Sequence, residues 1–326
     1  MSDWPDTTVP IFERAFTCEF ATVTRKGTPV TWPLTPYLPE DRKTIDVSTG
    51  LVYPRKAERA RRNPNVSLLF ADPVGTKLNS PPVVLVMGKA TVKDTNLQDC
   101  ADRYIRVAHE KFPAIYRYTP WWYMKRHAWY WVRIWIRVTP LRILWWPGAD
   151  LDKDPLRWES PPDGGVEPSD PEPPGEAPGG YQLEPSDWRD RAEEALERLG
   201  TPDLTVVDSN GWPVAFPVHS ATRHPQGFRL LIPDGVPVEA VGPACLTFHT
   251  HAEVFIGQEN ASFVGQVEPG EETVVFRVER LLGDFSLAGG RWGATWSFLG
   301  KARVLAPRLE PEVKRRGEPM PEIRRT

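Results

Sequence analysis

A short basic segment, preceded by hydroxyl groups, is the first part of the chain that could do chemistry. Ser48 and Thr49 end a predicted strand, and Arg55 and Lys56 lie at the start of a predicted helix that stops before Pro64. Hydroxyl groups, free backbone N–H groups and cations at a helix start suit a phosphate. A run of charges is also typical of a plain solvated helix face. The segment therefore indicates a phosphate site and leaves the solvated helix open.

A second group with possible chemistry lies late in the chain, at His249, His251 and Glu253. Alternate positions of a strand share one face, so the three side chains could bind a metal ion. Spacing alone is weak evidence. A structural histidine fits the pattern best, and a histidine that faces a binding groove fits next. We therefore predict no metal site here, and Gln258 to Asn260 could face the same groove.

Composition excludes several classes of protein. The 326 residues suffice for two domains, and the net charge of −3 argues against bulk binding of nucleic acid or membrane. Three widely spaced cysteines fit reduced thiols. The start of the chain lacks the apolar core of a signal peptide, and the longest apolar stretch, 129–138, is short and contains two arginines. These features predict a cytoplasmic protein.

Apolar periodicity predicts a mainly β chain with peripheral helices. Strands are predicted at 20–24, 29–37, 44–48, 66–70, 83–92 and 128–146, and then at 204–208, 212–222, 228–232, 245–251, 261–267 and 273–280. Helices are predicted at 56–62, from 95 or 96 to about 111, at 114–125, and from a cap at Ser186 to about Leu199.

The strand predicted over 128–146 has two different faces. One is aliphatic, and the other carries Trp129, Trp131, Arg133, Trp135 and Arg137. The Trp/Arg face is too large and apolar to be left bare. We expect another barrel or the C-terminal tail to cover it, and an exposed surface for a partner is the alternative.

Changes in composition divide the chain into four parts. Residues 1–150 form the first domain and residues 183–300 the second. Between them, 151–182 is rich in Pro, Gly and acids and is predicted to be a semi-extended spacer that lets the second domain dock almost anywhere. The Pro- and Arg-rich end, 301–326, is predicted to be an extended tail.

The two halves share a sequence pattern. Gly27-Thr-Pro-Val-Thr-Trp-Pro-Leu aligns with Gly211-Trp-Pro-Val-Ala-Phe-Pro-Val, and Met87-Gly-Lys-Ala aligns with Val264-Gly-Gln-Val. The order and rough spacing hold along both halves. The pattern predicts an internal duplication, with two copies of one mainly β domain.

Residues 10 to 147 resemble the split β-barrel flavin and deazaflavin oxidoreductases, the superfamily of pyridoxamine 5′-phosphate oxidase. The resemblance is carried by Phe20-Ala-Thr-Val-Thr-Arg-Lys-Gly-Thr-Pro, Ile45-Asp-Val-Ser-Thr, the segment from Lys56 to Leu68, Val86-Met-Gly-Lys-Ala-Thr-Val and Ile136-Arg-Val-Thr-Pro-Leu-Arg-Ile. The second half resembles the same barrel more weakly. The resemblance implies two tandem split barrels of the FMN-binding type, packed as a pseudo-dimer within one chain.

In that family the cofactor lies in a groove between two barrels. The resemblance implies that Ser48, Thr49, Arg55 and Lys56 bind the cofactor phosphate. It also implies that Pro33 and Thr35 line the ring or the ribityl chain. The candidates for the opposing wall are His249, His251 and Asn260. The corresponding segment of the second half, 233–243, has no Lys or Arg and has two acids, so we expect one phosphate site per chain.

The resemblance implies hydride transfer between FMN or the deazaflavin coenzyme F420 and a small planar substrate. The additional cations Arg59, Arg61 and Arg62 would suit the acidic tail of the deazaflavin, whereas FMN needs only the phosphate site. The alternative is a non-catalytic split barrel that binds a flavin or haem. No catalytic residue is singled out, and a further homodimer is left open.

Overall fold

Two curved antiparallel β-sheets, one in each half of the chain, form the body of the protein. The computed structural model describes residues 3–116, 119–161, 165–179, 187–270, 272–287 and 290–324. The fold is mainly β with a few helices, consistent with the two tandem split barrels that the sequence predicts. Ser186 lies outside the described residues.

The first sheet has eight strands in the order β2-β1-β5-β6-β7-β4-β3, and β8 pairs with β7. Its strands are β1 Cys18–Val23, β2 Pro29–Leu34, β3 Pro36–Tyr37, β4 Ile45–Gly50, β5 Asn65–Phe70, β6 Val83–Lys93, β7 Arg133–Trp146 and β8 Leu156–Glu159.

The second sheet has seven strands in the order β10-β9-β13-β14-β15-β12-β11. Its strands are β9 Asp203–Val207, β10 Pro213–Pro217, β11 Ser220–His224, β12 Gly227–Leu231, β13 Gly242–Thr250, β14 Glu259–Glu268 and β15 Val274–Ser286. The two orders correspond strand for strand, with β9 to β15 repeating β1 to β7.

Helices surround the sheets. They are α1 Val9–Arg14, α2 Arg55–Arg62, α3 Leu97–Lys111, α4 Pro113–Tyr116, α5 Trp121–Arg126, α6 Ala128–Trp131, α7 Trp188–Arg198, α8 Gly290–Leu305 and α9 Leu309–Arg315. Asn96 caps α3, as the sequence predicts, by accepting a hydrogen bond from the Asp99 amide.

The prediction of a single strand over 128–146 is wrong at its start. Residues 128–131 form the helix α6 instead. An apolar run of this length does not distinguish a helix from a strand, and tertiary packing decides. Trp129 packs against Phe298 of α8, with ring centres 5.2 Å apart. Trp135 donates its ring N–H to the Cys100 carbonyl of α3. Helices α8 and α3 therefore cover Trp129 and Trp135 of the Trp/Arg face.

The two barrels meet through a different surface. Outward side chains of the first sheet, including Leu69, Leu85 and Trp146, share a buried apolar cluster with Phe216 and Phe263 of the second. Burial of such side chains contributes about 1.5–3 kcal/mol each. Continuous apolar packing between the sheets is therefore what holds one barrel against the other.

The linker follows the first barrel instead of acting as the predicted free spacer. Asp170 accepts hydrogen bonds from the backbone N–H groups of Asp94 and Thr95 and from the Thr95 hydroxyl. Thr91 and Lys93 donate to backbone carbonyls at Glu167 and Pro168. These bonds hold residues 167–170 of the linker against the first barrel.

The extended tail predicted for 301–326 is wrong over 301–315, where α8 finishes and α9 forms. Leu305, Val313 and Ile323 are buried in the core of the first barrel. A short amphipathic helix is stable mainly through such tertiary packing. Local sequence alone therefore did not reveal it.

Candidate functional site

A cavity of about 830 Å³ lies between the two barrels, within the size range of small-molecule and cofactor sites. Strands β2 and β4 and the start of α2 form its first wall, and β13, β14 and β15 form the second. All nine residues predicted to bind a cofactor line this cavity: Pro33, Thr35, Ser48, Thr49, Arg55, Lys56, His249, His251 and Asn260. Their binding role itself stays a prediction.

The turn between β4 and α2 brings the hydroxyl groups and the cations together. The Tyr53 amide donates to the Gly50 carbonyl, and the Thr49 hydroxyl donates to the Tyr53 carbonyl. Position 50 must be glycine because an added Cβ would lie 2.5 Å from the Tyr53 ring. Pro54 then directs the chain into α2, so Arg55 and Lys56 face the cavity.

Lys56 is held over two aromatic rings. Its ammonium nitrogen lies 4.6 Å from the centre of the Trp32 ring and 5.5 Å from that of Tyr53. Burial, together with the nearby charges of Arg59 and Arg133, lowers the pKa of Lys56 to about 7. An anion placed beside this group would restore its positive charge.

Arg133 is a site residue that the sequence did not single out. It is 6% exposed and donates to the hydroxyl groups of Tyr53 and Tyr104, and its guanidinium lies over the rings of Tyr104 and Tyr130. Burial raises the pKa of Tyr104 and Tyr130 well above the usual value, so both are neutral. The three tyrosines around Arg133 therefore give its buried charge no anionic partner.

An arginine on a strand of Trp and Ile was the signal that could have revealed this site. A buried arginine needs a partner, because an unpaired buried charge is costly. The alternation placed Arg133 on the Trp/Arg face, for which only a cover was predicted and no ligand. The structure places Arg133 at the start of β7, where it lines the cavity.

The neighbouring cations of α2 have different roles. Arg59 lines the cavity and donates to the Thr22 hydroxyl, and burial lowers its pKa to about 10. Arg61 points away and pairs with the buried carboxylate of Asp94 at 2.5 Å. Arg61 therefore stabilises the fold. It is not available for the acidic tail of a cofactor, although the sequence suggested that role for it.

The second wall combines histidines with a close approach of backbone. His249 and His251 line the cavity and both contact the Asp72 carboxylate, with ring nitrogens 3.2 and 3.0 Å from Oδ2. Gly283 of β15 packs on Trp32, where an added Cβ would lie 2.6 Å from the ring. Glu253 is exposed and does not join the histidines.

No protein-family model matches the sequence, and no curated protein matches it. Among the described residues, the helices are too short or too polar to cross a membrane.

Several solved structures resemble part of the chain. A structure described as an F420 reductase is 17% identical, with a TM-score of 0.33, over 43% of this chain and 97% of its own. A conserved hypothetical protein from Mycobacterium tuberculosis is 21% identical, with a TM-score of 0.34, over 45% and 86%. A Clostridium acetobutylicum protein described as of the pyridoxinephosphate oxidase family is 14% identical, with a TM-score of 0.30, over 44% and 86%.

Each of these three structures matches less than half of this chain. Identities and scores this low do not establish a shared chemistry. The argument for a binding site therefore rests on the cavity itself.

Proposed function

We propose that this chain is a split-barrel oxidoreductase that binds FMN or the deazaflavin coenzyme F420 in the cavity between its barrels. One observation carries the proposal: basic side chains line the cavity, and none lies within salt-bridge distance of an acid in the described part of the chain. These residues are Arg55, Lys56, Arg59, Arg133 and Arg280. Cations left unpaired at a cavity wall favour an anionic ligand.

Two further atoms support a ligand with polar groups. The ring N–H of Trp32 and the Nε atom of Arg133 are buried and have no hydrogen-bond acceptor within the described residues. Buried polar groups without a partner are uncommon and need an explanation. Both belong to residues that line the cavity, and acceptor oxygens of a bound cofactor would satisfy them.

The residues divide into two subsites. Ser48, Thr49, Arg55 and Lys56 would bind the phosphate, as the resemblance implies. Trp32, Tyr53, Tyr104 and Tyr130 offer the apolar and aromatic surface that a planar ring needs, next to Pro33 and Thr35. The bound cofactor supplies the hydride chemistry, and the protein orients it and limits its contact with water.

Haem is a weaker candidate for this cavity. A haem iron needs a free axial ligand, and the candidate histidines are His249 and His251. Both have ring nitrogens directed at carboxylates, His249 at Glu19 and Asp72, and His251 at Asp72. Ligation of iron would break these contacts, so the cation-lined cavity favours a flavin-type anion.

The two halves are proposed to be copies of one ancestral barrel. The identical strand orders and the repeated sequence motifs support this origin. In this proposal one chain forms the groove that two chains form in relatives made of single barrels.

The deciding experiment titrates ligand-free protein with FMN and, separately, with F420, and follows cofactor fluorescence. We expect saturable binding of at least one cofactor. Arg59→Met and Arg133→Met should each weaken it tenfold or more, since a charge-assisted hydrogen bond contributes about 1.5–3 kcal/mol. Arg303→Met, at an exposed position, is the matched control and should bind as the wild type does.

Failure of both cofactors to saturate the protein at millimolar concentration would refute the proposal. Catalysis is tested separately, by the rate at which the bound, reduced cofactor transfers hydride to planar acceptors. Tight binding with no such transfer would make the chain a non-catalytic cofactor-binding protein.

A further inference from the structure

A buried cluster of ionisable groups lies directly behind the histidine wall of the cavity, where the barrels meet. It contains Glu19 of β1, Asp203 of β9 and His249 of β13. Glu19 is 1% exposed, Asp203 is 5% exposed, and the His249 side chain is 9% exposed. One donor atom from each lies within 4.8 Å of the other two.

Glu19 is the group that apolar packing does not explain. Its Oε1 atom lies 2.9 Å from Nδ1 of His249, yet neither carboxylate oxygen accepts a well-aligned hydrogen bond from the described residues. A carboxylate this deeply buried needs positive charge beside it. Among the described residues His249 is its one ion-pair partner, and a bound metal ion would supply a stronger one. One of its oxygens lies within 4.8 Å of the donor atoms of both Asp203 and His249.

His249 is oriented as a metal ligand usually is. One ring nitrogen, Nδ1, faces Glu19, and the other, Nε2, lies 3.2 Å from the Asp72 carboxylate. Metal-bound histidines commonly donate their second N–H to a carboxylate, which fixes the ring and its tautomer. Asp72 is itself held by His251, whose Nε2 atom lies 3.0 Å away.

We propose that Glu19, Asp203 and His249 bind a divalent transition-metal ion of the Zn²⁺ and Mn²⁺ class, with Asp72 orienting His249. The sequence predicted no metal, because it considered His249, His251 and Glu253. The proposed ligands come from three strands and both halves of the chain.

The donor set defines the class of ion. One imidazole and two carboxylates suit Zn²⁺ or Mn²⁺ better than Mg²⁺ or Ca²⁺, which prefer oxygen ligands alone. Tetrahedral ligands at about 2.1 Å from an ion lie about 3.4 Å apart. Donor atoms now up to 4.8 Å apart would therefore approach one another by at most about 1.4 Å, and the Glu19–His249 pair, now 2.9 Å apart, would widen by about 0.5 Å.

Electrostatics favour the same outcome, because a divalent cation would relieve the repulsion between two buried carboxylates whose donor oxygens lie within 4.8 Å of each other. Glu19 and Asp72 belong to the first half and Asp203 and His249 to the second. The ion would thus link the barrels and fix the cavity wall that carries His249.

The test measures metal content and does not depend on cofactor binding or activity. Untagged protein is stripped with EDTA, loaded separately with Zn²⁺, Mn²⁺ or Mg²⁺, passed through gel filtration and analysed by elemental mass spectrometry. We expect about one Zn²⁺ or Mn²⁺ per chain and no retained Mg²⁺. Co²⁺ loading should give visible d–d absorption of a low-symmetry site, and the bound ion should raise the thermal midpoint.

Variants locate the ion. Glu19→Gln should abolish retention, and Asp72→Asn should weaken binding about 10–100-fold, the usual effect of losing an outer partner. Glu310→Gln, an exposed acid paired with Lys314, is the matched control and should retain one ion. Circular dichroism checks that each variant folds.

Absence of retained Zn²⁺ and Mn²⁺ in the wild type would overturn the proposal, whatever the variants do. So would unchanged binding in folded Glu19→Gln or in His249→Gln, since the ion would then be held elsewhere. Failure of the cofactor titrations would leave these readouts unaffected.

Discussion

The ammonium of Lys56 lies 4.6 Å from the centre of the Trp32 ring, so the first turn of α2 is pinned across β2 at the cavity wall. This contact brings a charged group and an aromatic ring to one place. A cation–π contact of this kind contributes about 0.5–2 kcal/mol. It is also the point where the proposed phosphate subsite meets the proposed ring subsite.

Lys56→Ala should weaken binding of FMN or F420 by one to two orders of magnitude. The reason is the loss of a charge-assisted contact with the phosphate, about 1.5–3 kcal/mol. Fluorescence titration measures the effect. The control is Lys153→Ala, because the Lys153 side chain is 80% exposed. An unchanged dissociation constant for Lys56→Ala would remove Lys56 from the phosphate site.

Binding of the cofactor phosphate should take up protons above pH 7. The pKa of Lys56 is lowered to about 7 in the ligand-free protein, mainly by burial, so much of this side chain is neutral at pH 8. A phosphate dianion favours the charged form and raises the pKa. Affinity should therefore fall as the pH rises from about 7 to 9, while the phosphate stays dianionic.

Calorimetry at pH 8 in two buffers of different ionisation enthalpy measures this uptake directly. We expect the observed enthalpies to differ by an amount that corresponds to a fraction of a proton per site, up to one. The Lys56→Ala variant should lose that difference. Equal enthalpies for the wild type in both buffers would contradict the prediction.

The sequence predicted those features of the site and of the fold that are formed by residues close together in the chain. Ser48, Thr49, Arg55 and Lys56 lie within nine positions of one another, so a strand, a turn and a helix suffice to bring them together. Most strands of both sheets were predictable for the same reason, but β8 lies in the predicted spacer, and the strand predicted over 212–222 is divided into β10 and β11. Their alternation and turns are local, and the repeat between the halves reinforces each assignment.

Long-range pairings were not predictable in this way. Glu19 and His249 are 230 positions apart, and Arg315 contacts Glu58 across 257 positions. Neither pair belongs to a motif, and each forms only when separate elements pack. The Trp/Arg face was correctly expected to need a cover, but periodicity cannot identify which element supplies it.

Arg316→Met should destabilise the protein by about 3 kcal/mol or more. Arg316 is buried in a network in which it contacts Asp94 at 3.1 Å and Glu312 at 2.6 Å, and Asp94 also pairs with Arg61. Without Arg316 each of these buried carboxylates keeps a single arginine partner, Arg61 for Asp94 and Arg315 for Glu312. Breaking a buried ion pair costs about 3–5 kcal/mol. Denaturant unfolding measures the loss.

A neighbouring residue provides the matched control for this experiment. Lys314 lies two positions away on α9 and pairs with Glu310, and both side chains are mostly exposed. Surface ion pairs contribute about 0–1 kcal/mol, so Lys314→Met should change little. Equal effects of the two variants would show that the buried network does not hold the C-terminal helix.

We predict one phosphate-bearing cofactor per chain, although two barrels could in principle form two grooves. The segment of the second half that corresponds to α2, residues 233–241, is not helical. It has Asp234 and Glu239 and no Lys or Arg. The Asp234 amide and the Gly235 amide are instead bonded to the linker, at Asp152 and Leu151. A phosphate there would find neither a helix start nor a cation.

Electrostatics make the difference in phosphate affinity between the two possible grooves large. At an effective dielectric constant of about 20, two like charges about 4 Å apart repel by about 4 kcal/mol, and screening reduces the size but not the sign. Calorimetric titration of ligand-free protein should therefore give a stoichiometry near one. Asp234→Asn serves as the control, and since its site is predicted to be empty, its stoichiometry should not change. Two equivalent sites per chain would show that the second barrel has kept a phosphate site of its own, formed by residues outside the 233–241 segment.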